Sequence, residues 1–245
     1  MIALTILLVC VVLVIGLFIY LKHINRLHWL SYVFNIPRSF YFCMHYFPFA
    51  TAVKIPIFVS DKVWIKNLKG NLIIDAPGVY FGMIKLGFGE VEILDRKKER
   101  SIFDCKGTII FRGYTGIGHG FRISVNSSGV LEFGENFCMT AGSTIICHDN
   151  IVFGKDNLMS WECLIMDTDY HKIFQDGELI NSNKQIKIGN HVWMGARVIV
   201  LKGICIPDNC VIAAGSNVVK TYNEEACVIA GNPAKVVKNN IVWKP

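Results

Sequence analysis

The chain has 245 residues, enough for one substantial domain and an appendage, and a formal charge of +6 from 25 basic and 19 acidic side chains. No Asp or Glu precedes Asp61, whereas Lys22, Arg26, Arg38 and Lys54 do, so the remainder is close to balanced. That distribution excludes the basic folded surface a nucleic-acid binder needs and points to an anionic membrane surface instead. Nine scattered cysteines without a Cys-x-x-Cys spacing exclude a disulfide framework and a zinc site, and fit a reducing compartment.

Residues 2–21 carry no charge and are almost wholly aliphatic. Twenty residues at about 1.5 Å per residue reach about 30 Å, the hydrocarbon thickness of a bilayer, which predicts a transmembrane anchor over residues 1–21. A cleaved signal peptide would need a basic start and a small-residue cleavage site, and neither is present. Basic residues follow the span, which places the larger C-terminal part on the cytosolic side of a single-pass protein. Residues 22–60 form an aromatic connecting segment, with Trp29, Tyr32, Phe34, Phe40, Tyr41, Phe42, Tyr46, Phe47, Phe49 and Phe58. Pro37, Pro48 and Pro56 interrupt it too often for a second span. Two readings of the rings stand: they sit at the headgroup level of a membrane, or they bury the open end of the following domain.

From residue 61 to 240 the chain predicts a parallel β-helix. Strands are expected over 63–74 and 79–88, around Pro77 and Gly78, in irregular early coils. A six-residue spacing of apolar residues then emerges: Phe111, Ile117 and Ile123; Phe133, Met139 and Ile145; Phe153, Met159 and Ile165. It is unbroken through Ile188, Met194, Val200, Ile206, Ile212 and Val218. Neither an α-helix nor a lone half-buried strand has this period, whereas a β-helix built of hexads does. Each hexad makes one side of a triangular coil, and stacking the coils buries one aliphatic column per side. The positions four residues on (Val192, Val198, Ile204, Cys210 and Ser216) are small or apolar enough to face inward too. The interval from Ile165 to Ile188 is 23 residues, read as three hexads plus five residues of polar loop around residues 167–177. Loops on a rigid scaffold are where binding and catalytic groups concentrate.

Residues 188–195 (Ile-Gly-Asn-His-Val-Trp-Met-Gly), 212–219 and 230–235 (Ala-Gly-Asn-Pro-Ala-Lys), with Ser160-Trp161-Glu162 and residues 166–171 (Met-Asp-Thr-Asp-Tyr-His), carry a resemblance. They resemble the hexapeptide-repeat acyltransferases, most of all the sugar O-acetyltransferases of bacterial surface-polysaccharide synthesis. The resemblance is clearest over residues 133–240. It implies a left-handed β-helix, a homotrimer, and acetyl-CoA as co-substrate in the groove between adjacent prisms, with no metal. It also implies direct transfer to a sugar hydroxyl (or amine) of a surface glycan; the membrane segment, less common among these acetyltransferases, suits a lipid-linked precursor at the bacterial inner membrane. By that resemblance His171 is the general base, Trp193 lies beside the CoA arm, and residues 231–235 lie near the adenine.

An alcohol attacks a thioester only as its proton is removed, and imidazole is suited to this at neutral pH. Asp169 or Asp167 is available to orient His171 through its other ring nitrogen; a plain exposed loop histidine beside two turn-forming carboxylates is the bland alternative. His148, one coil earlier, is the second candidate base or a sugar contact, with Trp161 also assigned to the acceptor. His119 and His191 read as turn or surface residues. The donor candidates are Trp193, Gly195, Ala214, Gly215, Ser216, Lys220, Gly231, Pro233 and Lys235. Glycines there let backbone approach a ligand closely, and lysines (Lys238 among them) suit phosphates. Two other functions fit the same scaffold: a metal enzyme resembling the γ-class carbonic anhydrases, needing three converging imidazoles, and a non-catalytic interaction platform.

Overall fold

A computed structural model describes residues 16, 28–89, 91–95 and 98–244. From residue 28 on, the described chain opens with a helix, α1 (His28–Tyr46), followed by a single turn, α2 (Phe49–Ala52). A continuous parallel β-helix follows, and up to Asn217–Val218 its strands fall on three sheets in rotation. The first face runs from Ile57–Val59 through Ile84–Leu86, Thr115–Ile117, Phe137–Met139, Leu158–Met159, Trp193–Met194 and Val211–Ile212 to Val228–Gly231. The second starts at Val63–Asn67 and ends at Asn217–Val218; the third starts at Asn71–Ile74 and ends at Cys205–Ile206.

The register explains the hexads. Ile188, Met194 and Val200 occupy the third, first and second faces in turn, and Ile206, Ile212 and Val218 repeat the circuit one coil higher. The shorter runs join the same columns: Phe111, Phe133, Phe153, Ile188 and Ile206 are successive partners on the third face. All are buried, as are Val192, Val198, Ile204, Cys210 and Ser216 between them. Phe111, Phe133 and Phe153 stack with ring centres 5.6 and 5.7 Å apart, and Phe137 wedges against the last two at 4.7 and 4.8 Å. Each such ring withdrawn from water contributes about 1.5–3 kcal/mol.

The slips between the runs share one location. The extra residues after Ile123, after Ile145 and after Ile165 all leave at the corner between the second and third faces. This corrects the reading of the 23-residue interval. Ile165 and Ile188 are adjacent in the circuit, on the second and third faces, so one hexad step carries the entire surplus. Counting by sixes could not tell residues that return to the prism from residues that leave it. Part of the excursion is an antiparallel ribbon, Phe174–Gln175 with Glu178–Leu179, turning on Asp176 and Gly177 at φ 52° and 86°. Asp-Gly with two positive φ values is the short-hairpin turn whose twist matches paired strands.

Both ends of the solenoid are closed, as open parallel edges must be to avoid further strand pairing. At the start, Ser39 of α1 accepts the Val59 N–H at 2.9 Å, Cys43 donates to the Ile57 carbonyl, and Arg38 bonds the Val63 carbonyl. Asn35, Ser39, Phe42 and Cys43 form the buried face of α1, with spacings of four, three and one. At the finish, Val228–Gly231 turns back on Ala234–Lys238, and the Tyr222 hydroxyl donates to the Ala234 carbonyl at 2.6 Å.

The expectation of an N-terminal transmembrane helix is corrected. Among the described residues, no helix is long and apolar enough to cross a membrane. α1 carries Asn35, Pro37, Arg38 and Ser39 at its centre. The predicted span over residues 2–21 lies outside the described residues, apart from Gly16.

Candidate active site

The polar corner between the second and third faces is built by two stacked turns. Asp167 is fully buried, and its carboxylate takes the backbone N–H of His148 on one oxygen, at 2.7 Å, and of Asp149 on the other, at 2.8 Å. One side chain thereby ties the residue 147–150 turn to the root of the long excursion. Tyr170, at φ 60°, turns its ring edge-on to the His148 imidazole with centres 4.9 Å apart.

The excursion is pinned a second time. Asp169 receives Lys202 Nζ at 2.5 Å and Asn181 Nδ2 at 2.9 Å. Lys202 also donates to the Asn181 carbonyl, and Asn181 Nδ2 to the His171 carbonyl. The Lys202 ammonium, then the Asn181 amide, hold the Asp169 carboxyl below its ordinary pKa. Both carboxylates assigned to orient His171 are therefore engaged elsewhere: Asp167 with backbone, Asp169 with Lys202 and Asn181. His171 itself stands exposed just beyond this clamp.

The candidate donor residues lie along another edge. Between the first and second faces, Trp161, Gly195, Ala214 and Gly215 stack, with the Arg197 N–H on the Trp161 carbonyl and the Gly215 N–H on the Ala196 carbonyl. A Cβ on Gly195 would meet the Ala214 nitrogen at 2.7 Å, so its glycine closes the coil spacing. Gly215, at φ 71°, has open space where a side chain would be, with Ala214 exposed beside it. Ser216 is buried and accepts the Gly231 N–H at 3.1 Å. Gly231 and Pro233 form the closing turn, with Lys235 exposed next to it; Lys220 lies over the Tyr222 ring at 5.6 Å. Trp193 sits half-exposed on the first face, its indole N–H 3.3 Å from Ser160 Oγ.

A strand run of the second face separates the two edges. A single chain therefore does not bring His171 to Trp193 and Gly215.

No family model matches the sequence. Over 143 residues the chain is 30% identical to a putative lipopolysaccharide biosynthesis O-acetyl transferase, WbbJ, of Escherichia coli strain K12, covering 54% of this chain and 72% of that protein. The chain belongs to the hexapeptide-repeat acyltransferase family. It is also 42% identical over 127 residues to a polysialic acid O-acetyltransferase of Neisseria meningitidis. That match covers 51% of this chain and 59% of that protein, and the match to a polysialic acid O-acetyltransferase of Escherichia coli O1:K1 covers 31% of its length. The crystal structure of the polySia-specific acetyltransferase NeuO superposes at a TM-score of 0.48 and 23% identity, over 76% of this chain and 90% of that one.

Several side chains of this hexapeptide-repeat protein's candidate site had no reading in the sequence. Lys202 and Asn181 were missed; the stacking of corners coil upon coil would have put Lys202 beneath the excursion. Trp243 was missed as well. Its ring stacks on His191 at 4.1 Å, its indole N–H donates to the His191 carbonyl, and it lies 6.0 Å from Trp193. His191 is thus covered by the C-terminal segment. His119 lies in a turn, as read, but is fully buried there, with Nδ1 3.0 Å from the Gly89 carbonyl and Nε2 3.9 Å from Glu99. His119, His148 and His191 occupy three different edges, and among the described residues no three His, Cys, Asp or Glu side chains converge.

Proposed function

We propose that the protein transfers an acetyl group from acetyl-CoA to a hydroxyl of a surface-glycan sugar or its lipid-linked precursor. The observation that carries this is the doubly clamped excursion, which presents an exposed imidazole from a rigid corner. In the reaction, His171 takes the proton of the acceptor hydroxyl as its oxygen attacks the thioester carbonyl. The C–S bond then breaks, the ester remains on the sugar, and the imidazolium returns the proton to the departing sulfur. Asp167 and Asp169 serve by fixing the excursion, which holds the base in place for attack.

Direct transfer is favoured over an acyl-enzyme at Cys163 or Cys105. Burial pushes the Cys163 thiol up to about 11 and the Cys105 thiol up to about 12, so neither is a thiolate at neutral pH. Acetyl-CoA fits the opposite edge: Trp193 offers a flat face, Ala214 and Gly215 an open shelf, and Lys235 a cation for phosphate. Because base and shelf lie on different edges, the reading includes a homotrimer in which one copy's His171 corner faces its neighbour's Trp193 edge.

The test is release of free thiol from acetyl-CoA with a panel of sugars, for the wild type and His171→Ala. The expected loss is about 10²–10⁴-fold in kcat, the usual contribution of a general base. Release at the full rate after the substitution would remove His171 from the mechanism. No acceptor-dependent release with any sugar would favour the non-catalytic platform.

A further inference from the structure

α1 is apolar on two opposite faces, and only one of them is used. Its inner side caps the first coil. On its outer side Val33, Pro37, Phe40, Tyr41 and Met44 recur at helical spacing and are exposed, Tyr41 at 72%. The stripe continues beyond the helix through Phe49, 66% exposed, and Val53. Beside it opens an apolar recess of 480 Å³ lined by Tyr32, Val33, Ile36, Phe81 and Tyr114, with Lys85 Nζ 5.8 Å from the Tyr114 ring centre. An apolar band of this extent on a folded surface marks a contact site.

The charge around it specifies the occupant. No acidic residue occurs in the first 60 positions, and Lys54, Lys66, Lys69 and Lys85 are nearby cations; among the described residues Lys66 is the one of these paired with a carboxylate, Asp104 at 3.2 Å. The chain enters α1 from residues 2–21, which are uncharged and apolar, and then from Lys22 and Arg26. Rings and aliphatic side chains with flanking lysines match the headgroup level of an anionic leaflet, where rings sit among glycerol backbones and ammonium groups meet phosphates. We infer that the outer face of α1, continued by Phe49 and Val53, lies on the surface of an anionic phospholipid bilayer. It enters one leaflet without spanning it. The β-helix is thereby held end-on, its first coil nearest the lipid.

The experiment uses the full chain and vesicles of phosphatidylcholine alone or with phosphatidylglycerol, and is independent of the acetyl-transfer reading. Two variants are compared with the wild type: Tyr41→Asp with Phe49→Asp, and Tyr41→Trp. The double aspartate variant is expected to bind phosphatidylglycerol vesicles at least about tenfold more weakly, because it removes apolar contact and adds two repelled charges. Tyr41→Trp is expected to add quenching by brominated phospholipid beyond that of the wild type. Unchanged vesicle binding by the aspartate variant, with no added quenching, would overturn the inference and leave any lipid attachment to residues 2–21. Dissociation of a self-associated species by the same substitutions, with vesicle binding unaltered, would overturn it in favour of a second copy on that face. Circular dichroism of the exposed-site variants establishes that the fold is kept.

Discussion

The coils from Ile188 to Val218 and those from Phe103 to Ile165 are built on the same three columns, yet differ at the corners. In the later coils each face is reached in six residues, and every corner is blunt. In the earlier ones the corner between the second and third faces lengthens repeatedly, and polar side chains accumulate there: His148, Asp149, Asp167, Asp169 and His171. The regular region needs only columns of aliphatic residues to be stable. The irregular corner must be held by specific hydrogen bonds, because its residues are polar: even Asp167, fully buried, takes two backbone N–H groups. In the proposed function the chemistry accordingly sits where the period fails, and the strict hexads supply a straight edge for the co-substrate.

The largest expected effect breaks the irregular side alone. His171→Ala lowers turnover by about 10²–10⁴-fold and leaves the denaturant midpoint unchanged, because the side chain is exposed. The converse is Phe133→Ala, which removes the middle ring of the third-face stack. It costs about 3–5 kcal/mol in chemical denaturation, while the surviving folded fraction keeps its KM for acetyl-CoA. Asp167→Ala belongs to both regions. It leaves the N–H groups of His148 and Asp149 without their acceptor, at about 1–3 kcal/mol, and lowers kcat without raising the KM for acetyl-CoA.

Lys202→Met is the mildest. It releases Asp169 and the Asn181 carbonyl, and activity falls several-fold with little change in melting temperature. Here the sign of the pH effect is defined. The Asp169 carboxyl is held below its ordinary range in the folded protein, so its contribution to the clamp is complete above the unfolded-state pKa. That contribution is lost as pH falls through the lower, folded value. Limited proteolysis between residues 168 and 182 should therefore accelerate only in acid. In Lys202→Met the acceleration should begin at a higher pH; identical profiles would sever the lysine from the clamp.

The columns were legible in the sequence because a buried face tolerates so few residue types that its period survives in a single chain. Every ladder position from Phe111 onward faces inward. The corner excursion was legible only as a surplus. A length of 23 residues is compatible with several partitions into coil and loop, and register, which decides among them, is a three-dimensional property. The clamp was illegible for a related reason: Lys202 and Asp169 are 33 positions apart and meet only because corners superimpose. Asp167 and Asp169 stood out as carboxylates near an imidazole, but sequence proximity could not show that backbone amides and a lysine had claimed them. α1 was masked by its own composition. Pro37 and a run of rings argue against a spanning helix, and nothing local says that a shorter one will plug a solenoid through Ser39 and Phe42.

That the lengthenings between Phe103 and Val218 gather at the corner between the second and third faces has a consequence for how the solenoid can vary. The corner behaves as a socket: residues 172–180 are exposed, so a segment of different length there displaces no interior side chain, and each doubling of such a loop costs only about 0.6 kcal/mol in closure entropy. Under the proposed function, acceptor preference is then exchanged like a tool head, with His171, its clamp and the edge between the first and second faces left untouched.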